Sequence, residues 1–347
     1  VELEVFNPFI PMDLKACAIP CAVYTVTVKN PSSGPVTVDV LSAQKNALGF
    51  NEGNGAAKYG KNQNESVKRG ETTLVHMTRA GNDSADMVLM TNAPGATAAT
   101  DWGTTQVLHR AVDVARKLQG PKKTKPSAEG KSVNGALLAP LELAPGESKS
   151  VTFVLTWYFK NGKHGSGKGM PTTEGERANS VGWSGQGQNY TNWWPSAMGV
   201  AKYLQENLAD LTRRTRLFHD TLYASSLPVW LLDRMSSQLA VLRSQTFWWA
   251  KNGYLGMWEG CNEDAGCCGG NCTHVYHYAQ AHARLLPEMG RLMREQDYER
   301  QTPKGLTPYR HTNKHGAADG FYGTILNTYR EHLCSEDDGW LKSQWPK

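Results

Sequence analysis

The sequence predicts a two-part β + α protein, an N-terminal β-sandwich followed by helices arranged as an α/α toroid, and three observations carry that reading. Up to about residue 160 the readable segments alternate apolar and polar residues with the period of a strand. From 163 to 194 the chain is rich in Gly, Ser, Asn and Trp and has no periodicity. After Pro195 the apolar residues recur with the period of a helix, and no strand pattern alternates with them. At 347 residues the chain is long enough for two cores. The expected division is a β-sandwich over 1–162, a connecting segment over 163–194 and a helical domain over 195–347.

The strands are expected at Ala22–Val28, Val36–Val40, Met87–Met90 and Val151–Tyr158, rich in Val and Thr. Turn clusters such as Asn30-Pro-Ser-Ser-Gly34 and Ala144-Pro-Gly-Glu147 separate them. The polar stretches 51–85 and 112–135 read as long loops. One helix face is marked by Val200, Leu204, Leu208, Leu211 and Phe218, and a second, after Pro228, by Leu231, Met235, Leu239 and Leu242. Further amphipathic stretches run from about 275 to 295 and from 320 to 333. The first residues, Val1-Glu2-Leu3-Glu4-Val5, alternate at once, so no signal peptide is read in them. The last, Trp340–Lys347, stop inside an amphipathic pattern, and both ends read as cut.

Composition narrows the function class. No run reaches the roughly 18 apolar residues of a membrane helix, so no transmembrane segment is expected. Net charge is +5, and the basic run from Arg116 to Lys125 is broken by Gly and Pro, which reads as a solvated loop and not as a nucleic-acid surface. Eleven tryptophans and thirteen tyrosines concentrate after Trp157; their rings can stack on sugars, and most are expected in the core. No nucleotide loop, flavin motif or Ser-His-Asp set appears, so no cofactor is expected.

Chemistry is expected in Gly256-Met-Trp-Glu-Gly-Cys-Asn-Glu-Asp-Ala-Gly-Cys-Cys-Gly-Gly-Asn-Cys-Thr-His-Val-Tyr-His-Tyr278, read as a glycine-heavy loop between two helices. Glu259 sits between Trp258 and Gly260. A carboxylate beside a large aromatic, with small residues that let a ligand approach, is what glycoside hydrolysis asks of a nucleophile. Cys261, Cys267, Cys268, Cys272, His274 and His277 offer a rival reading as a zinc site, yet their spacings are not those of a ribbon or finger. Local disulfides or buried thiols are the expectation, with no metal; Cys267 and Cys268, being adjacent, should not pair with each other. The loop Tyr309-Arg-His-Thr-Asn-Lys-His-Gly-Ala-Ala-Asp319 supplies two histidines, an arginine and an aspartate suited to sugar hydroxyls.

Several segments together resemble glycoside hydrolase family 116, a group that includes bacterial β-glucosidases and non-lysosomal glucosylceramidases. In the first part these are Asn7-Pro-Phe-Ile-Pro11, Tyr24-Thr-Val-Thr-Val-Lys-Asn30 and Phe153-Val-Leu-Thr-Trp-Tyr-Phe159. In the second they are Phe218-His-Asp-Thr-Leu-Tyr223, Leu227-Pro-Val-Trp-Leu-Leu-Asp233, Tyr254-Leu-Gly-Met-Trp-Glu-Gly260, Leu286-Pro-Glu-Met289 and Tyr329-Arg-Glu331. The resemblance implies a β-sandwich followed by the first part of an (α/α)6 barrel, acting on β-glycosides, glycolipids or oligosaccharides with retention. It implies Glu259 as nucleophile and an acid/base outside these 347 residues. It also implies that Trp258, His274, His311 and Asp319 bind substrate. His274 stands where better-known members have a sugar-holding Asp, which marks a divergent branch. Two other readings stay open: a non-catalytic carbohydrate-binding relative of the same fold, and a Cys-rich, metal-stabilised interaction domain.

Overall fold

The computed structural model describes residues 1–49, 61–81, 85–102, 125–130, 134–160, 187–244, 246–257, 272, 277, 280–311 and 315–347. The chain divides into two compact units. One comprises Val1–Asn7, Ile19–Lys160 and Trp194–Leu208, the other Pro8–Ala18, Asn161–Trp193 and Ala209–Lys347.

The first unit is built on two antiparallel sheets. Strands β1 (Glu2–Phe6), β2 (Cys21–Lys29), β9 (Ser148–Phe159), β6 (Ala85–Thr91), β5 (Thr72–Arg79) and β4 (Asn62–Arg69) form a six-stranded sheet in that order. Strands β3 (Val36–Lys45), β8 (Asn134–Leu143) and β7 (Thr97–Ala99) form the other. The period of two decides what goes where. Val28, Val75, Met77, Met87, Leu89, Val151 and Phe153 from the larger sheet meet Ala98, Leu137, Ala139, Leu141 and Leu143 from the smaller in one core. Gly135 on β8 is glycine for room, since a Cβ there would come within 2.6 Å of Val75.

On β9 the residue between inward Leu155 and Trp157 is Thr156, whose hydroxyl donates to the carbonyl of Ala197 at 3.0 Å. That carbonyl belongs to the first turn of a long helix, α2 (Ala197–Tyr223). Its N-terminus is capped twice. Ser196 Oγ accepts from the Gly199 amide at 3.0 Å, and the buried Asp86 carboxylate, from β6, accepts from the Ala197 amide at 2.8 Å. A carboxylate there also meets the positive end of the helix dipole.

The stretch 51–85, expected to be a loop, contains the hairpin β4–β5, turned at Arg69-Gly70-Glu71 with Gly70 at φ 57°. The alternation exists, but on β4 the buried positions are asparagines. Asn62 and Asn64 are fully buried; Asn62 Nδ2 donates to the carbonyls of Asn46 and Leu48 at 3.1 and 2.9 Å, and Asn64 Nδ2 to that of Thr100 at 2.9 Å. Hydrogen bonding replaces apolar burial here, so a hydropathy pattern does not show the strand.

In the second unit α1 (Leu14–Cys17) is followed, beyond α2, by α3 (Val229–Ser237), α4 (Ala281–Leu285), α5 (Pro287–Glu299), α6 (Ala318–Leu333) and α7 (Gly339–Gln344). The expected face Leu231, Met235, Leu239, Leu242 is only partly realised. Of these four only Leu242 is buried; within α3 the buried residue is Leu232 while Met235 is exposed, and after Ser237 a 3-10 turn over Gln238–Arg243 changes the period. A purely helical second part was expected, and a hairpin interrupts it: β10 (Phe247–Trp249) pairs with β11 (Leu255–Met257) across a turn in which Gly253 has φ 91°. Aromatic residues flanking Asn252-Gly253 give the local preference. The glycine-rich stretch of sequence after Met257 therefore follows a strand and not a helix. Leu242, Leu255, Met257, Leu286, Met289 and Met293 form this unit's core, with Phe9 and Leu14 packed on it. At the end of the 163–194 stretch Trp193 lies edge-on to Trp249 at 5.7 Å. No helix among the described residues is long and apolar enough to cross a membrane.

Candidate functional site

The site is built on the strand that precedes Trp258. Gln296 of α5 behaves as a neighbouring strand would toward β11: its side-chain oxygen accepts from the Leu255 amide at 2.8 Å and its side-chain nitrogen donates to the Leu255 carbonyl at 3.1 Å. Both atoms are buried, so the clamp works away from competing water. Two residues on, the Met257 carbonyl accepts from the Cys272 amide at 2.7 Å, and Cys272 forms an antiparallel bridge with Arg310. Met257, Cys272 and Arg310, the residue before His311, therefore lie side by side.

Beneath them runs a buried polar chain. Asp297, on α5, is paired with Arg294 one turn back at 3.0 Å and with His311 Nε2 at 2.8 Å; the other ring nitrogen of His311 lies 2.6 Å from the Tyr254 hydroxyl. Tyr254 precedes β11, and the Arg300 guanidinium sits 5.6 Å over its ring. Burial opposes ionisation of Asp297, but the Arg294 guanidinium and the His311 N–H outweigh it and hold the carboxyl below the usual carboxylate range. Burial lowers the pKa of His311 against the pull of Asp297, which favours a neutral ring. A neutral ring donates from Nε2 to the carboxylate and accepts the tyrosine proton at Nδ1.

A second chain joins α6 to α5 and to the end of the loop. His277 Nε2 lies 2.7 Å from the Gly320 carbonyl, which can only accept, so that nitrogen carries the proton; Nδ1 then accepts from Asn327 at 2.6 Å. Burial and the Arg294 charge lower this histidine's pKa to about 4, consistent with the neutral form. Arg330 pairs with Glu331, which is wholly buried, and donates to Gln280 at 2.7 Å. Gly290 on α5 is the space into which the Glu331 carboxylate fits, since a Cβ there would stand 2.8 Å from its oxygen. His282 is buried, and burial with the nearby Arg330 and Arg294 lowers its pKa to about 3.

Of the residues expected to act, Trp258, Glu259 and His274 lie outside the described residues, as do Cys261, Cys267 and Cys268. His311 is described, and its geometry departs from the expected lining of a sugar site. Its side chain is 0% exposed with both ring nitrogens engaged, so it offers no group to a ligand and instead ties Tyr254 to Asp297. Asp319 is exposed in the first turn of α6, where one oxygen accepts from the Gly320 amide at 2.8 Å. Among the described residues no group of three or more His, Cys, Asp or Glu side chains gathers as a metal ion requires. Arg294, Gln296 and Asp297 were missed: they stand in a wholly polar and charged run broken only by Tyr298, Arg294-Glu-Gln-Asp-Tyr-Glu-Arg300. The spacing of Arg294 and Asp297, one turn apart beside apolar Met289 and Met293, was the available signal.

Comparison with known proteins adds the family. The N-terminal domain described as "beta-glucosidase 2, glycosyl-hydrolase family 116 N-term" matches residues 1–211. No curated protein matches the chain. Among solved structures the chain is similar to "Putative kojibiose phosphorylase from human microbiome", with 11% identity and a TM-score of 0.40 over 90% of this chain and 37% of that one. The chain thus spans well under half the length of that structure. By the match over residues 1–211, the chain belongs to glycosyl-hydrolase family 116.

Proposed function

We propose that this chain is part of a retaining β-glycosidase, acting on β-linked glycosides in the manner of a β-glucosidase or glucosylceramidase, with Glu259 as nucleophile. The observation that carries the reading is the family match over residues 1–211, followed in sequence by Met257-Trp-Glu-Gly260. In this reading residues 1–162 are the sandwich, 163–194 the connection and 195–347 the first part of an (α/α)6 barrel. The helix α6 supports the barrel. Its buried residues are largely polar, Asn327, Thr328, Arg330 and Glu331 among them, while Tyr322, Leu326, Tyr329 and Leu333 are exposed. A helix with apolar residues outward and a packed polar face inward fits between two helical layers.

Retaining chemistry needs two carboxyl groups about 5–5.5 Å apart. Glu259 attacks the anomeric carbon as the glycosidic C–O bond breaks, and a general acid protonates the leaving oxygen. Water then cleaves the glycosyl ester with that same group as base. The acid/base is assigned to sequence outside these 347 residues. Trp258 supplies a face for the sugar ring, and His274 and Asp319 hydrogen-bond its hydroxyls. His311 is recast as a positioning residue, holding Tyr254 and the root of β11 in place from below. The test is proton NMR of aryl β-glucoside hydrolysis by the full-length protein. Release of the β-anomer first supports the proposal; release of the α-anomer first, or turnover that requires inorganic phosphate, contradicts it.

A further inference from the structure

A cavity of about 250 Å³ lies on the face of α5 opposite the buried Arg294–Asp297 pair, lined by Leu14, Trp249, Glu288, Arg291, Leu292 and Glu295. We infer that this cavity is a second saccharide site, one that holds a single pyranose ring and whose lining residues are all outside the stretch that carries Glu259. It goes beyond the glycosidase reading, and its chemistry is independent of Glu259.

Size comes first. Pockets for drug-sized ligands run from about 300 Å³ upward, so this one suits something smaller, such as one sugar ring. The lining then selects among small molecules. A pyranose has an apolar C–H face and a rim of hydroxyls. Trp249, Leu14 and Leu292 offer indole and aliphatic surface for the face, while the rim finds two carboxylates to accept and a guanidinium to donate. The three charged residues occupy one stripe of the helix, with Arg291 between Glu288 and Glu295, so the guanidinium offsets one of the two carboxylates and the rim presents a donor as well as acceptors, as a neutral polyol requires. The site is also partly set in advance: the Trp340 indole N–H donates to Glu295 at 2.8 Å and fixes that carboxylate.

The experiment is a titration of the 347-residue chain, methyl-labelled at methionine, with methyl 1-thio-β-D-glucopyranoside, whose C–S bond resists hydrolysis. Met289 also lines the cavity, and its methyl signal is the reporter. A saturable shift is expected, weakened about tenfold or more in Glu288→Gln/Arg291→Ala, whose residues are not part of the core. The Glu259→Gln chain should show the same shift as wild type, which separates this site from the proposed catalytic one. Absence of a saturable shift, its survival in the double variant, its loss in Glu259→Gln, or an equal shift from methylammonium overturns the inference.

Discussion

Asp297 is the residue on which the buried polar chain of the second unit depends. Its carboxylate holds both Arg294 and His311, and all three side chains are within 2% of complete burial. Replacing Asp297 by Asn keeps the shape and strands the guanidinium without its counter-charge. Breaking a buried pair in this way costs about 3–5 kcal/mol, and urea denaturation of Asp297→Asn should show a loss of that order. A loss below about 1 kcal/mol would mean that water reaches Arg294 after all. His282 and His277 give a pH prediction with a definite sign. In the unfolded chain a histidine takes up its proton near pH 6.5, while the folded chain resists until about 3 for His282 and about 4 for His277. The two states are equally unprotonated above 6.5, so no penalty exists there; below it the unfolded state binds more protons and stability falls. The slope approaches about 1.4 kcal/mol per pH unit for each histidine and is largest between 6.5 and the folded values. Denaturation midpoints measured across that range should fall accordingly, and His282→Leu should flatten the profile, because it removes one of the two titrating groups and, with neither ring nitrogen hydrogen-bonded among the described residues, breaks no hydrogen bond there. An unchanged slope in that variant would assign the effect to other groups.

At the scale of the element, α5 and α6 show how tertiary packing overrides helical preference. Alanine is favoured over glycine in a helix interior by about 1 kcal/mol, so propensity alone makes Gly290→Ala stabilising. The Glu331 carboxylate occupies the space the new methyl needs, and Glu331 is held there by Arg330. Overpacking of this kind costs about 1–3 kcal/mol, and the variant should be destabilised in urea; a gain in stability would show that Glu331 moves freely. The faces of α6 were legible in period and misleading in direction. Tyr322, Leu326 and Tyr329 form an apolar stripe at helical spacing, yet they are 64%, 69% and 61% exposed. Leu326→Gln should change the stability of this chain by no more than about 0.5 kcal/mol, as for a surface site. In a longer protein whose barrel covers the stripe the same change should cost about 2 kcal/mol or more, which thermal denaturation of both forms would reveal. Strand β4 and the hairpin β10–β11 escaped the hydropathy pattern for related reasons: the one buries asparagines, and the other has only three residues per strand.

Across the whole molecule, composition and periodicity carried the broad division into antiparallel sheets and later helices, because burying one face of a strand or helix leaves a mark at every second or every third to fourth residue. The core of the sandwich could be read in this way from Val151, Phe153, Met87 and Leu89. The candidate site was less legible. Its supports, Arg294, Gln296 and Asp297, are polar residues that become structural only through partners distant in sequence, at Leu255 and His311. What the residues at the loop do rests on the family's chemistry, and Glu259 is where that chemistry is tested most directly. The full-length protein should be incubated with a 2-fluoro-2-deoxy-β-glucoside bearing a good leaving group, digested, and its labelled peptide sequenced by mass spectrometry. A stable glycosyl ester on Glu259 is expected, with loss of turnover and of labelling in Glu259→Gln while the circular dichroism of the fold is unchanged. Label on a different residue in an active preparation, or a Glu259→Gln protein that still turns over substrate normally, contradicts it.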